Sequence, residues 1–433
     1  MSTFFIIVCG QLVSNLGSRL TDFGLGVWIF QETHSATRFA ASILISALPR
    51  IVLAPAIGAL VDRFDRRKVM IASDSILALR TVVILFILLF GRLAVWQIYL
   101  VNAIGSVFET SHGLAWSASV SLLVPKRHLA RVNGLTGMFN SGTGMLAPAI
   151  AGLLYALIGM KGIAAIDLAS WAFAVGPLLL VAIPSPTREP GPGGESTLLR
   201  DIREGWGHLR KGAGLFYLLL AYSAIGFFGI TTEVLRGPYV LSFNGPDRYG
   251  IVESIASVGT LAGGFLLTAM GNPKRAIGAI LASEALVSVA GMVMGAFPSY
   301  IVLVVSVLAY YGAVSFGDGS INALWQRTIP PAAQGRVFAL RDALTMSLMP
   351  AGILLFSPIA EFWMEPALSP GGRWASILGP MIGTGPGRGI GLLFVLSGLA
   401  SLSIVLLACC SRSIRRVDDQ PLGSAEDIVR RKV

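Results

Sequence analysis

The sequence predicts an all-α integral membrane protein of twelve transmembrane helices in two pseudo-symmetric six-helix bundles. Three observations predict it. Charged residues make up 13% of the 433-residue chain and hydrophobic ones 54%, whereas a soluble domain covers itself with about 25% charge. Apolar stretches long enough to cross roughly 30 Å of hydrocarbon as helix recur from end to end. One long polar break, residues 184–211, divides them six and six. Backbone groups in lipid have no water to bond, so each stretch must satisfy them internally as helix. The mean hydropathy of +0.73 agrees, and the 50 glycines suit close helix packing in a bilayer.

The first bundle, residues 1–183, takes spans near 4–31, 38–61, 69–90, 94–123, 131–158 and 162–183. The second, residues 212–411, takes spans near 212–243, 248–270, 276–297, 299–325, 336–364 and 387–411, and a tail of residues 412–433 follows. Several spans exceed the minimum length, which permits tilt. The first apolar run lacks the basic flank and small-residue cleavage site of a signal peptide and is expected to stay as a helix. In the central break, Leu198, Leu199, Ile202, Trp206 and Leu209 recur at helical spacing. A short amphipathic helix on the cytoplasmic membrane surface and a plain linker both fit so short a run.

Charge placement orients the spans. With the N-terminus inside, 23 of the 33 Lys and Arg residues fall in cytoplasmic connections and the tail, and six in outer connections. That asymmetry follows the positive-inside rule and puts both termini on the cytoplasmic side of an inner (plasma) membrane. The net charge of +10 is thereby a topology signal rather than a nucleic-acid footprint. Cys9, Cys409 and Cys410 give neither a disulfide framework nor a metal spacing. His34, His112, His128 and His208 do not cluster as ligands, so no metal and no cofactor is expected.

The two halves echo one another. Val124-Pro125, five residues, then Arg131-Val132-Asn133-Gly134-Leu135 is repeated by Ile329-Pro330, five residues, then Arg336-Val337-Phe338-Ala339-Leu340. The blocks precede spans five and eleven, equivalent places in a duplicated six-helix unit. Parallel repeats with a site at their interface typify many secondary transporters.

Between spans two and three runs Gly58-Ala59-Leu60-Val61-Asp62-Arg63-Phe64-Asp65-Arg66-Arg67-Lys68. It resembles the signature of the major facilitator superfamily, with Asp65 where the pattern has Gly. The resemblance implies a gating role: Asp62 near the N-terminal end of span eleven, where a helix dipole favours a carboxylate, and Arg63, Arg66 and Arg67 pairing with acids and lipid phosphates. Gly134, Thr143, Ala147-Pro148 and Ala151-Gly152 of span five resemble the superfamily's antiporter motif in degenerate form. Small residues around Pro148 would kink the helix and allow close packing. Gly17-Ser-Arg-Leu-Thr-Asp22-Phe of span one is similar to the branch of macrolide efflux proteins and the enterobactin exporter. Gly385-Pro-Gly-Arg-Gly-Ile-Gly-Leu-Leu-Phe394 resembles transporters found beside peptide-synthetase genes. The superfamily's basic residue in span four is missing, since residues 95–123 hold no Lys or Arg.

Ionisable groups inside spans are costly and mark cavities or partners. The resemblance implies that spans one, four, seven and ten line a central cavity, and each holds an acid: Asp22, Glu109, Glu233 and Asp318. Arg19 and Arg236 lie three residues from Asp22 and Glu233, on a shared helix face, so each could neutralise its neighbour. Glu109 and Asp318 have no Arg in their own span and are the better candidates for titration. Each acid has two readings, a proton carrier coupled to substrate release or a permanent ion pair that locks helices. Arg50 could bind an anionic substrate or pair with an acid on a neighbouring helix. Asp74, Arg80, Asp167, Glu253, Glu284 and Glu361 are expected to serve packing or interfacial pairing.

The expected function is secondary transport of a small organic molecule (a drug, siderophore or secondary metabolite), driven by protons because no phosphate-binding loop for ATP is present. Its partners are then the substrate, protons and the bilayer. An importer or facilitator of a small nutrient would use the same fold. A membrane enzyme is disfavoured by the lack of a metal cluster, a nucleophile elbow or a sizeable soluble domain.

Overall fold

The computed structural model describes residues 2–61, 64–123, 129–180, 213–271, 275–329 and 331–418, and no strand occurs among them. Helices α1 (Ser2–Thr33), α2 (Ala36–Val61), α3 (Arg66–Phe90) and α4 (Val95–Leu123) come first. A helical run Leu129–Leu180 is interrupted at Gly159 (φ 64, ψ −173), a conformation closed to most L side chains. The break leaves two arms, α5 (residues 129–158) and α6 (residues 160–180). Then follow α7 (Ala213–Leu241), α8 (Pro246–Met270), α9 (Ala276–Ala296), α10 (Tyr300–Thr328) and α11 (Pro331–Pro358). A π-helical stretch Ile359–Met364 continues α11 past Pro358 into the single turn α12 (Glu365–Leu368). The chain closes with α13 (Ala375–Ile382), α14 (Arg388–Cys410) and the turn α15 (Arg412–Arg415).

Nine described segments are long and apolar enough to cross a membrane, one of them the broken α5–α6 run. Adding α1 and α4, whose polar residues lower their hydropathy, each of the twelve expected spans falls on a helix. Large apolar side chains such as Phe90, Phe265, Ile301 and Leu407 lie exposed, as expected of a surface solvated by lipid. The central linker 184–211 and tail residues 419–433 lie outside the described residues.

The chain divides into two compact units, Met1–Glu189 with Val240–Ser254, and Pro190–Tyr239 with Ile255–Val433. In the first, α1 packs against the α5–α6 run, and α4 against α2 and α3. Contact between α1 and α6 is backbone-close: a Cβ on Gly10 would lie 2.1 Å from the Phe173 carbonyl. The turn from α1 to α2 uses His34 at φ 49, and Ser35 Oγ accepts the Arg38 N–H at 3.1 Å, capping α2.

In the second unit α9 packs against α10 and α14. The Gly385–Phe394 stretch is a structural device here. Glu365 accepts the N–H groups of Gly387 (3.1 Å) and Ile390 (3.0 Å) at the start of α14, where a helix dipole favours an anion. Buried Arg388 donates to Tyr239 Oη at 2.8 Å, and that hydroxyl donates to the Met294 carbonyl at 2.8 Å.

Candidate functional site: a charged septum in the first unit

Charges from four spans of the first unit gather around one residue. Arg80 of α3 has a side chain only 5% exposed; its Nη2 lies 3.0 Å from Asp22 Oδ1 of α1 and its Nη1 3.7 Å from Glu109 Oε1 of α4. On the other edge of Glu109, Arg50 Nη2 of α2 stands 2.9 Å from Oε2. Four helices are thus tied by two guanidinium groups and two carboxylates. Room for Arg80 comes from Gly105, where a Cβ would lie 2.8 Å from Nη1.

This cluster lies at the meeting of two cavities. A chamber of about 1160 Å³ runs along the polar stripe of α1, with Gln11, Asn15, Ser18 and Asp22 in its wall. Their spacing puts all four on one helix face. Trp116, Phe139 and Trp171 add apolar surface. A smaller pocket of about 390 Å³ is lined by Phe23, Phe39, Asn102 and Tyr249, with Phe23 and Tyr249 stacked at 4.9 Å. Asp22, Arg50 and Glu109 line both cavities. The larger one exceeds the roughly 300–1,000 Å³ of ordinary ligand pockets.

The pairing of Asp22 differs from the one its helical spacing offers. Asp22 finds its cation across helices in Arg80, while Arg19 Nε donates to Asn15 at 2.8 Å; an i−4 amide on the same face outcompetes an acid that a buried guanidinium already holds. Glu109, which has no Arg in its own span, is flanked by Arg50 and Arg80 of neighbouring helices. These residues supply positive charge from spans two and three where span four has none.

Below the septum the wall carries two more acids. Buried Asp167 of α6 accepts from the hydroxyls of Thr21 (2.9 Å), Thr81 (2.7 Å) and Ser18 (3.3 Å). Charge-assisted bonds to three hydroxyls tie α1, α3 and α6 together. Buried Asp74 of α3 accepts from Gln11 Nε2 at 3.0 Å and lies 3.3 Å from His112 Nε2.

In the second unit the intrahelical pair does form: Arg236 Nη1 stands 3.7 Å from Glu233 Oε2. The Tyr311 hydroxyl bonds both, and the guanidinium lies 4.7 Å from its ring centroid. Asp318 of α10 accepts from the Tyr222 hydroxyl.

Of the gating residues, Asp62 and Arg63 lie outside the described residues. Gly58 sits in α2 with Leu114 Cδ1 3.9 Å from where its Cβ would be. Arg66 opens α3. Arg67 donates to the carbonyls of Leu178 and Leu179, both at 2.6 Å, and so caps the C-terminal end of α6 with a cation. Asp65, the departure from the family pattern, is the N-cap of α3: it accepts the Lys68 N–H at 3.1 Å. In the antiporter-like segment, Gly134 and Pro148 lie within α5. Gly152 faces the chain entering α8, where an added Cβ would lie 2.4 Å from the Pro246 carbonyl oxygen.

Two all-helical units, the first holding a charged chamber, with helices long and apolar enough to cross a membrane, point to the class of polytopic membrane transporters. The chain belongs to the major facilitator superfamily, whose family model matches residues 7–353. It is 32% identical over 362 residues to macrolide efflux protein A of Streptococcus pyogenes, covering 83% of this chain and 89% of the relative. The Enterococcus faecalis protein of the same name is 33% identical, over 72% of this chain and 97% of its own. The multidrug efflux pump Tap of Mycolicibacterium fortuitum is 25% identical, over 82% and 88%. Solved structures with the same fold include the nucleoside transporter NupG (TM-score 0.64, 14% identity, covering 95% of this chain and 99% of that one). A bacterial homologue of the iron transporter ferroportin in an inward-facing state gives a TM-score of 0.64 at 17% identity, covering 97% and 99%.

Proposed function

We propose that the protein is a proton-coupled exporter of an amphipathic small molecule, working by alternating access in the plasma membrane with both termini cytoplasmic. One observation carries the reading: buried Arg80 is shared between two carboxylates where two cavities meet. While Asp22 and Glu109 are both ionised, Arg80 and Arg50 bind α1 to α4 and the septum is closed. A proton on either carboxyl removes one attraction and weakens that tie. A cationic, partly apolar substrate competes for the same carboxylates with its charge and rests its apolar body on Trp116, Phe139 and Trp171. Proton and substrate thus exclude one another at one site, which is the requirement for exchange; a shift in occupancy biases two conformations only through such differential binding.

Export rather than uptake is supported by the efflux relatives. Macrolides, named for two of these proteins, are the substrate class to try first. The gating role of Gly58, Asp62, Arg63, Arg66 and Arg67, the antiporter character of the Gly134–Gly152 segment and a part for Glu233, Arg236 and Asp318 in coupling belong to the same proposal. The test is retention of a radiolabelled macrolide by cells with and without the gene, each with and without a protonophore. Lower retention in expressing cells, abolished by the protonophore, is the expected result; equal retention in all four conditions overturns the reading.

A further inference from the structure

The Asp74–His112 pair has no role in the septum, yet it sits in the wall of the same chamber. Asp74 is buried; its Oδ2 accepts from the Gln11 amide at 3.0 Å, and its Oδ1 lies 3.3 Å from His112 Nε2, which has no hydrogen-bond partner among the described residues. Along α3 the pair is six residues from Arg80, roughly 9 Å of helix, toward the end where α2 finishes and α3 begins. The other charged groups facing the chamber are engaged elsewhere. Arg19 of α1 bonds Asn15, Asp22 of α1 and Glu109 of α4 hold Arg80, and Arg50 of α2 holds Glu109. Asp167 of α6 is saturated by three hydroxyls. The described α5 side chains in the wall, Thr136 and Phe139, carry no charge.

An imidazole is the one side chain whose ordinary charge change falls between about pH 5 and 8. Asp74 is buried and His112 half-buried, so the pair is only partly screened by bulk salt. We propose that Asp74 and His112 form a proton-relay station between the Asp22–Arg80–Glu109 septum and the face of the bilayer at which α3 begins. One proton moves: it is taken from water, held on the imidazole or on the carboxyl oxygen 3.3 Å away, and given up to water. No other bond changes. Gln11 holds the carboxylate in place.

The relay rests on the proton-coupled reading of the septum, and the experiment separates the two. Full-length protein in proteoliposomes is assayed with a radiolabelled macrolide in two modes, accumulation driven by a pH gradient and counterflow without a gradient, which needs no net proton movement. His112→Gln and Asp74→Asn should each cut gradient-driven accumulation by at least about tenfold, the scale of losing a positioned proton carrier, and keep counterflow within about twofold. Gradient-driven accumulation that stays within about twofold in both variants overturns the relay. So does loss of both modes in both variants, which marks a purely structural pair. Counterflow without any gradient response in the unmodified chain overturns the coupled reading itself, and the relay with it.

Discussion

Replacing Arg80 with Met removes a cation that touches both carboxylates and keeps most of its packing volume. The cost is set by what stays behind. Asp22 and Glu109 side chains are 47% and 31% exposed, so water entering the chamber recovers part of the lost solvation. Stripping one partner from a fully buried pair costs about 3–5 kcal/mol; with both acids half-solvated, about 2–3 kcal/mol is expected. Asp22→Asn made in the Arg80→Met background then restores part of that loss, because the amide needs no cation. A double-mutant cycle on unfolding free energies in mixed micelles should give a coupling of about 1–2 kcal/mol between positions 22 and 80. The matching cycle with Glu109→Gln should give less, since Arg50 still holds that carboxylate at 2.9 Å. Additivity within about 0.5 kcal/mol at positions 22 and 80 would refute the septum as an energetic unit. Arg80→Lys should also lose transport, since a single ammonium cannot span two carboxylates as a planar guanidinium does.

Three other positions give independent checks. Asp167→Asn replaces the charge that three hydroxyls point at and should cost about 2 kcal/mol in the same unfolding assay, with Thr81→Val nearly as harmful. Gly152→Ala forces a backbone shift, because the new Cβ would stand 2.4 Å from the Pro246 carbonyl oxygen; a loss of about 1–3 kcal/mol is expected, and wild-type stability would contradict the close crossing. Asp65→Ala removes the cap of α3 and should cost about 1 kcal/mol, whereas Asp65→Asn and Asp65→Ser should be near neutral by thermal unfolding.

The helices were legible because the bilayer makes a simple demand: long apolar runs with little charge, and basic residues gathered on one side. Even the break at Gly159 falls between two spans that hydropathy separates. The acids of the septum were legible for the converse reason, since Asp22 and Glu109 are expensive in a span and must have a use. Their partners were not. Helical spacing offered Arg19 to Asp22, but the partner is Arg80, 58 residues away on another helix. Asp167 draws its donors from Thr21 and Thr81, 146 and 86 residues distant. Nothing in a linear pattern distinguishes Gly105, which clears the path of the guanidinium, from the other glycines. Asp65 shows the opposite case. It stands where the family pattern has Gly, and its side chain caps a helix, a reading that the following Arg-Arg-Lys and apolar run could have suggested.

Exchange at a shared carboxylate site is the central claim, and counting both ions tests it most directly. Proteoliposomes holding the full chain, with a pH-sensitive dye inside and a radiolabelled macrolide outside, report proton and substrate movement together. Protons leaving as macrolide enters, in fixed proportion, with both fluxes lost in Asp22→Asn and Glu109→Gln, is the predicted result. Macrolide movement without proton movement, or undiminished coupled flux in both variants, would contradict it.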